Sequence, residues 1–172
     1  MELAWAVAQM SLNAERIRAL LRGIPAAQAR WRPEPESWSM LEVVNHLLDE
    51  EREDFKVRLD YTLHRPGEPW PAIDPEGWVT AREYNERDLE PSLAAFLRER
   101  DASLAWLGGL ATTAAPDWEA AYETSFGPIR AGDVLAAWVA HDLLHIRQLV
   151  ELHWAYTTAA LAPYKPDYAG VW

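Results

Sequence analysis

Three histidines are the residues of this chain whose type and spacing could do chemistry. His141 and His145 are four residues apart, so on an α-helix both imidazoles would lie on the same face. Imidazole is the commonest protein ligand for transition metals, and His46 could supply a third one from a facing helix. Three such ligands leave coordination positions open for water or substrate, as in catalytic metal sites. The pattern therefore predicts a divalent-metal site.

The residues around the pair favour a metal over the alternative, in which each histidine is an ordinary hydrogen-bonded helix residue. Leu143, Leu144 and Leu149 make the segment strongly apolar, so we expect it to be largely buried. Two imidazoles on a buried face need polar partners, and one cation would serve both. Asp142 and Arg147 point away from that face and are expected at the surface.

Two other polar residues are candidates for the site. Glu50 lies one turn after His46 and could be a fourth ligand, an acceptor that orients His46, or a base acting on water. It could equally belong to a solvated acidic face. Gln148 lies one turn beyond His145 and is a candidate pocket residue, although ordinary helix polarity explains it as well.

The two remaining histidines are not expected at the site. His64 precedes a proline-rich segment and is predicted to lie in a solvated loop. His153 is eight residues beyond His145, which is about 12 Å along a helix and too far to share one ion.

Amphipathic helices are predicted to position these residues, because apolar side chains recur at intervals of three and four. The helix that carries His46 begins where Ser39 and Glu42 fit a capping box, and it continues to about Leu63. Three more helices are predicted over residues 2–22, 81–107 and 133–156.

Long connections rich in proline and glycine separate the helices. Residues 64–79 and 108–132 are predicted to be irregular, with a turn at Phe126-Gly127-Pro128, and Pro91 could break the third helix. No strand is predicted, because β-branched residues are few and no period-two alternation is sustained. These elements predict an all-α fold, a four-helix bundle with long crossover connections.

Composition excludes several classes of function. The 172 residues carry a formal net charge of −11, so the chain offers no basic surface for nucleic acid. The absence of cysteine excludes disulfides, thiolate metal sites and cysteine nucleophiles. No signal-peptide pattern and no membrane-spanning apolar stretch is visible. We expect one cytoplasmic domain over residues 1–172, with a tail of about 157–172 packed on the bundle and no membrane partner.

Three features of the chain occur together: Trp38-Ser39 at the entry of the second helix, the long crossover, and the last-helix segment from Trp138 to His145. In these features the chain resembles the DinB-like superfamily of small metal-binding four-helix proteins, which is named after damage-inducible genes. The resemblance implies that His46, His141 and His145 bind the metal. Zinc or nickel suits such a site best, with iron or manganese as alternatives.

The resemblance also implies a range of functions. Some relatives are transferases or isomerases that use a low-molecular-weight thiol (mycothiol, bacillithiol or glutathione), so the leading expectation is a metal-dependent thiol S-transferase acting on an unidentified small molecule. A homodimer is also implied. One alternative is a metal-dependent hydrolase with Glu50 or a hydroxide as base. The other is a non-catalytic, stress-induced protein in which the metal staples the bundle.

Overall fold

Long helices form the body of the structure, a computed structural model that describes residues 2–110, 115–170 and 172. The helices are α1 Leu3–Leu21, α2 Ala26–Ala29, α3 Met40–Asp49, α4 Phe55–His64, α5 Pro75–Ala81, α6 Leu89–Leu110 and α7 Ala131–Ala160, with 3₁₀ turns at Tyr84–Glu86 and Asp167–Ala169. A π-helical turn, Glu50–Asp54, joins α3 and α4 into one arm, called here the α3–α4 arm.

The first and last long helices run in the same direction. Near the middle of α1, Asn13 donates a hydrogen bond to Asp142 of α7, and further along α1 the carbonyl of Leu20 contacts the ring of His153. Parallel neighbours cannot be joined by a tight turn, so the chain must cross the bundle before it reaches α7. The predicted four-helix bundle with long crossovers is confirmed.

The α3–α4 arm packs antiparallel to α7. Trp38, just before the arm, lies beside His145, whereas Phe55 further along stacks on the earlier residue Trp138. The arm also runs parallel to α6, since Asn45 contacts Arg87 just before that helix and Glu51 contacts Arg100 further along it, and α3 and the π-helical turn pack against α6. The four long helices are therefore arranged up, down, down and up in chain order, with the arm facing α7.

The core consists of two apolar halves separated by a polar layer. Leu21, Leu48 and Leu149 belong to one half, and Met10 and Trp138 belong to the other. The polar layer between them contains a buried ion-pair network made by Asn13, Glu51, Arg100 and Asp142.

Three predictions about the environment of α7 are wrong. Asp142 is fully buried instead of exposed, because Arg100 reaches it from α6 and supplies the missing charge. Leu143 and Leu144 are about half exposed, with 52% and 55% of their surface accessible. The ion pair turns the Asp142 side of the helix inward, and the two leucines therefore face outward. Arg147 is exposed, as predicted.

The capping box at the start of α3 is confirmed. The Ser39 hydroxyl accepts a hydrogen bond from the Glu42 amide at 3.1 Å, and the Glu42 carboxylate accepts one from the Ser39 amide at 2.7 Å. Arg32 donates to both oxygens of the same carboxylate, and the Ser39 hydroxyl also donates to Asn85. This cluster fixes the entry of the helix that carries His46.

Replacing Ser39 with Ala is expected to lower the free energy of unfolding by about 1–2 kcal/mol, because one helix-terminal amide loses its acceptor. Urea denaturation followed by circular dichroism measures this change. Ser11→Ala is the matched control, since Ser11 is exposed within α1 and should change stability by less than about 0.5 kcal/mol. Equal effects of the two substitutions would contradict a capping role.

The predicted start of the third helix at Ala81 is wrong. Ala81 instead ends α5, a short helix inside the crossover that was expected to be irregular; Asp74 caps it and Pro75 occupies its first turn. Glu83 then adopts a left-handed conformation (φ 51°), which separates α5 from α6. Pro91 does not break α6, because it lies in the first turn, where a backbone N–H has no helical acceptor to lose.

A β-hairpin precedes α7, although no strand was predicted. Strands β1 Ala121–Thr124 and β2 Gly127–Arg130 pair antiparallel, and Gly127 has a φ of 112° just after the turn. Phe126 lies in the predicted turn, whereas Pro128 lies in β2. Four-residue strands are too short to show a periodic pattern. Residues 111–114 of the predicted second connection lie outside the described residues.

Beyond α7 the chain makes limited contact with the bundle. Trp172 stacks on Trp154 with ring centroids 4.7 Å apart, while Tyr164 and Tyr168 are exposed. In the part of the chain that the structure describes, no helix has the length and apolar character needed to cross a membrane.

Candidate metal centre

The three predicted histidines lie together between the α3–α4 arm and α7. The Nε2 atom of His141 is 3.4 Å from that of His46 and 3.1 Å from that of His145. One nitrogen from each ring can be chosen so that all three lie within 4.8 Å of one another. Residues separated by 95 positions in the chain thus meet at one point, because the two helices that carry them face each other.

The arrangement of nitrogens fits a bound divalent cation. Zinc–nitrogen bonds of about 2.0–2.1 Å in tetrahedral geometry place ligand nitrogens about 3.3 Å apart. Two of the three separations, 3.1 and 3.4 Å, are close to this spacing. Without a cation, the three rings can satisfy one another only in part, since a neutral imidazole has one N–H donor and one lone pair.

The rings are held in the neutral form that binds metals. Burial lowers the pKa of His46 to about 3, and a positive charge on His145 would lower it further. Burial likewise lowers the pKa of His141 to about 2, together with the positive charges of its neighbours. The pKa of His145 is also lowered, mainly by burial. Because the three imidazoles stay unprotonated at neutral pH, their nitrogen lone pairs remain available to a metal.

Gln148 contacts the far side of one ring. Its Oε1 lies 2.8 Å from Nδ1 of His145, which assigns the N–H of that imidazole to Nδ1. The Nε2 lone pair of His145 then points toward the other two histidines. Such an outer hydrogen bond is the usual way in which a metal-binding histidine is oriented.

Glu50 is buried beside His46, not part of a solvated acidic face. It is 4% exposed, and its Oε1 is 3.9 Å from Nδ1 of His46. Neither of these two atoms has a hydrogen-bond partner among the described residues. Burial and the nearby carboxylate of Asp54 raise the pKa of Glu50 to about 9. A carboxyl group of this kind can hold or release a proton near the histidines.

The π-helical turn explains how Glu50 and Glu51 can both be buried. This turn holds one extra residue relative to an α-helical turn, and such turns are frequent at functional sites. Glu50 faces the histidines, while Glu51 accepts hydrogen bonds from Arg100 and from the ring N–H of Trp138. The turn therefore connects the candidate site directly to the ion-pair network in the core.

Two clefts, both with Trp38 in their lining, reach the histidines. The first has a volume of about 530 Å³ and includes His145 and Gln148 in its lining. The second has a volume of about 590 Å³ and includes His46, Glu50 and His141. The ring of Trp38 borders both and lies 5.0 Å from that of His46, centroid to centroid. Trp38 marked the family resemblance in the sequence, but its position in the lining of both clefts had no local signal.

The two remaining histidines, His64 and His153, lie outside the cluster. His64 is the last residue of α4 and not part of a loop as predicted; it pairs with Asp60, and half of its side chain is exposed, as expected for a solvated residue. His153 instead contacts the Leu20 carbonyl at 2.7 Å and the side chain of Gln28 at 3.3 Å. Both therefore have partners that explain them without a metal.

Fold and site together define a helical-bundle protein with a three-histidine cluster that could hold a divalent metal. The sequence profile of the DinB superfamily matches residues 9–149, and the chain belongs to this superfamily. The solved structure of YfiT from Bacillus subtilis superposes with a TM-score of 0.77 at 16% identity, covering 91% of this chain and 88% of that one. YfiT is described as a probable metal-dependent hydrolase with an unusual four-helix bundle topology. A search of curated proteins finds no match.

Proposed function

We propose that this protein is a metal-dependent enzyme that hydrolyses a small molecule, with His46, His141 and His145 as the metal ligands. The observation that carries the proposal is the convergence of three imidazoles beside the buried carboxyl group of Glu50, which shares one cleft with His46 and His141. The description of YfiT as a probable metal-dependent hydrolase supports the same reaction class.

The proposed roles follow from position. A divalent cation in this cluster would act as a Lewis acid that polarises the scissile group and lowers the pKa of water. Glu50 accepts the proton from the attacking water and delivers it to the leaving group. Its position beside His46 also lets a cation in the cluster favour its carboxylate form, since a nearby positive charge lowers the pKa of a carboxyl group. Trp38 walls the site and limits the entry of bulk water.

Metal binding is the first outcome to measure. Protein purified with zinc or nickel is expected to contain about one equivalent of metal, because three neutral imidazoles with open positions form a high-affinity site. The triple substitution of His46, His141 and His145 by Ala should remove that metal, as measured by elemental analysis. The control is His64→Ala with His153→Ala, which should keep full occupancy. Unchanged metal in the triple variant would refute the ligand assignment.

Glu50→Gln is expected to lower kcat for hydrolysis at least about 100-fold, because an amide cannot accept the proton. The measurement is the pH–rate profile of metal-loaded protein with a panel of p-nitrophenyl esters and chromogenic amides. The limb of the pH–rate profile that reports ionisation of the general base should disappear, while the metal content stays at the wild-type level. Glu53→Gln is the control, since Glu53 pairs with Arg82 outside both clefts. A variant that hydrolyses with the wild-type profile would exclude Glu50 as the base.

Thiol transfer stays a prediction that the same protein can test. Addition of bacillithiol, mycothiol or glutathione to the cobalt-substituted protein would produce a sulfur-to-metal charge-transfer band if a thiol binds the metal. A band with one of them, together with no hydrolysis of the panel, would favour an S-transferase over a hydrolase. A protein that binds metal and shows neither response would fit the non-catalytic alternative. The homodimer and the cytoplasmic location also stay predictions.

A further inference from the structure

The second cleft is lined by acidic side chains. Glu50, Asp54, Asp74 and Glu76 contribute to its wall, and no lysine or arginine does so among the described residues. The first cleft is similar, since its lining includes two glutamates and, among the described residues, no lysine or arginine. Both routes to the histidines thus present carboxylates to an incoming molecule.

The nearest arginines cancel only part of this charge. Arg58 pairs with Asp54 of the cleft at 2.5 Å and lies over the ring of Trp70. Arg82 instead bridges Asp49 and Glu53, which do not line the cleft. Among the described residues, Asp54 is therefore the one carboxylate of the second cleft with an arginine partner.

The other acidic residues of the second cleft keep acceptor capacity. Glu76 makes no ion pair or side-chain hydrogen bond within the described part of the chain. Among the described residues, the Asp74 carboxylate accepts only the amide of Gly77, at the cap of α5. The unpartnered Oε1 of Glu50 is the independent sign of a ligand, because this side chain is 5% exposed and borders the cleft. A buried carboxyl oxygen without a hydrogen-bond donor from the protein is expected to accept a hydrogen bond from a bound molecule.

Aromatic rings complete the second cleft. Trp38 and Phe55 both line it, and the face of an aromatic ring attracts cations through its quadrupole. Acidic groups combined with aromatic walls are the chemistry that recognises an amine or guanidinium. In the metal-free protein, a carboxylate-bearing or phosphorylated molecule would face repulsion in the same space.

We infer that the substrate is an organic cation, whose amine or guanidinium group lies in the second cleft between Glu76 and the aromatic walls while its reacting group faces the histidines. The inference rests on the proposed function for the reaction, but not for the charge preference. It also predicts that a cosubstrate with several carboxylates, such as glutathione, binds weakly.

Benzamidine, benzamide and benzoate are suitable probes, because they share one shape and carry charges of +1, 0 and −1. Binding is measured by ligand-observed NMR and calorimetry, with both metal-free and metal-loaded protein. Benzamidine should bind the metal-free protein at least about 10-fold more tightly than benzamide, and benzoate should not bind detectably. The measurement with metal-free protein is the decisive one, because benzoate can also coordinate a metal directly.

Substitutions locate the effect. Glu76→Gln should weaken benzamidine binding about threefold and leave benzamide unchanged, since one carboxylate near the bound charge is lost. Glu90→Gln is the matched control, because Glu90 is exposed on α6 and lines neither cleft. A threefold change in both variants would indicate general attraction to an acidic protein, and it would overturn the inference.

Other outcomes also contradict it. The inference that the substrate is a cation would be contradicted by equal affinity for benzamidine and benzamide. Preferred binding of benzoate to the metal-free protein, or no binding of benzamidine, would contradict it as well. None of these results alters metal content or ester hydrolysis, so failure of this inference is distinguishable from failure of the proposed function.

Discussion

Replacing Arg100 with Met is expected to lower the free energy of unfolding by about 3–5 kcal/mol, because it leaves buried carboxylates without a counter-ion. Arg100 is 1% exposed and donates hydrogen bonds to Glu51, Asp142 and the Met10 carbonyl. It therefore joins three of the long helices to the π-helical turn. Chemical denaturation of the metal-free protein measures the loss.

Two comparisons test this explanation. Arg98→Met is the matched control, because Arg98 is exposed on the same helix and should change stability by less than about 0.5 kcal/mol. Neutralising the partners in the same chain, with Glu51→Gln and Asp142→Asn added to Arg100→Met, should recover part of the loss. If the triple variant is less stable than the single one, unpaired charge is not the cause.

Acidification of the metal-free protein is expected to reduce its stability by about 1 kcal/mol per pH unit between pH 6.5 and pH 4.5, which is the net effect of two histidines and one opposing carboxyl group. The pKa values of His46 and His141 are lowered from an ordinary value of 6.5 to about 3 and about 2. In this window the unfolded chain binds protons that the folded cluster does not, so stability is lost as pH falls. Glu50 acts in the opposite sense, because its pKa is raised to about 9 and the folded state holds its proton.

Urea denaturation at a series of pH values measures this dependence after removal of metal with a chelator. Substitution of His46 and His141 with Gln should make stability nearly independent of pH, or slightly greater at low pH because of Glu50. His64→Gln should keep the wild-type slope, since that ring lies outside the cluster. A wild-type slope in the double variant would show that other groups control acid sensitivity.

The sequence was sufficient to predict that His46, His141 and His145 come together, because each part of the cluster has a local signal. The spacing of His141 and His145 defines a helix face, and the capping box at Ser39 fixes the start of the helix with His46. The four-helix bundle follows from apolar periodicity and from the length of the connections. A cap at Asp74 followed by Pro75 was a readable helix start, and that signal could have located α5.

The remaining features depend on partners far away in the chain. Nothing near Asp142 indicates that Arg100, 42 positions earlier, would neutralise it in the core. The burial of Glu51 depends on Arg100 and Trp138 in the same way. The π-helical turn also has no local motif, because an extra residue per turn is stabilised by what the rotated side chains reach. Long-range charge pairing, rather than helix propensity, thus decides which acidic residues are buried.

The separation of the three histidines along the chain has a consequence for the order in which the proposed metal site forms. His46 emerges from the ribosome 95 residues before His141. Until α7 docks against the α3–α4 arm, a nascent chain cannot present all three imidazoles at one point. In the proposed site, the metal is therefore selected only after α7 has been made, from the ions available at that time and not from those present when the α3–α4 arm emerges.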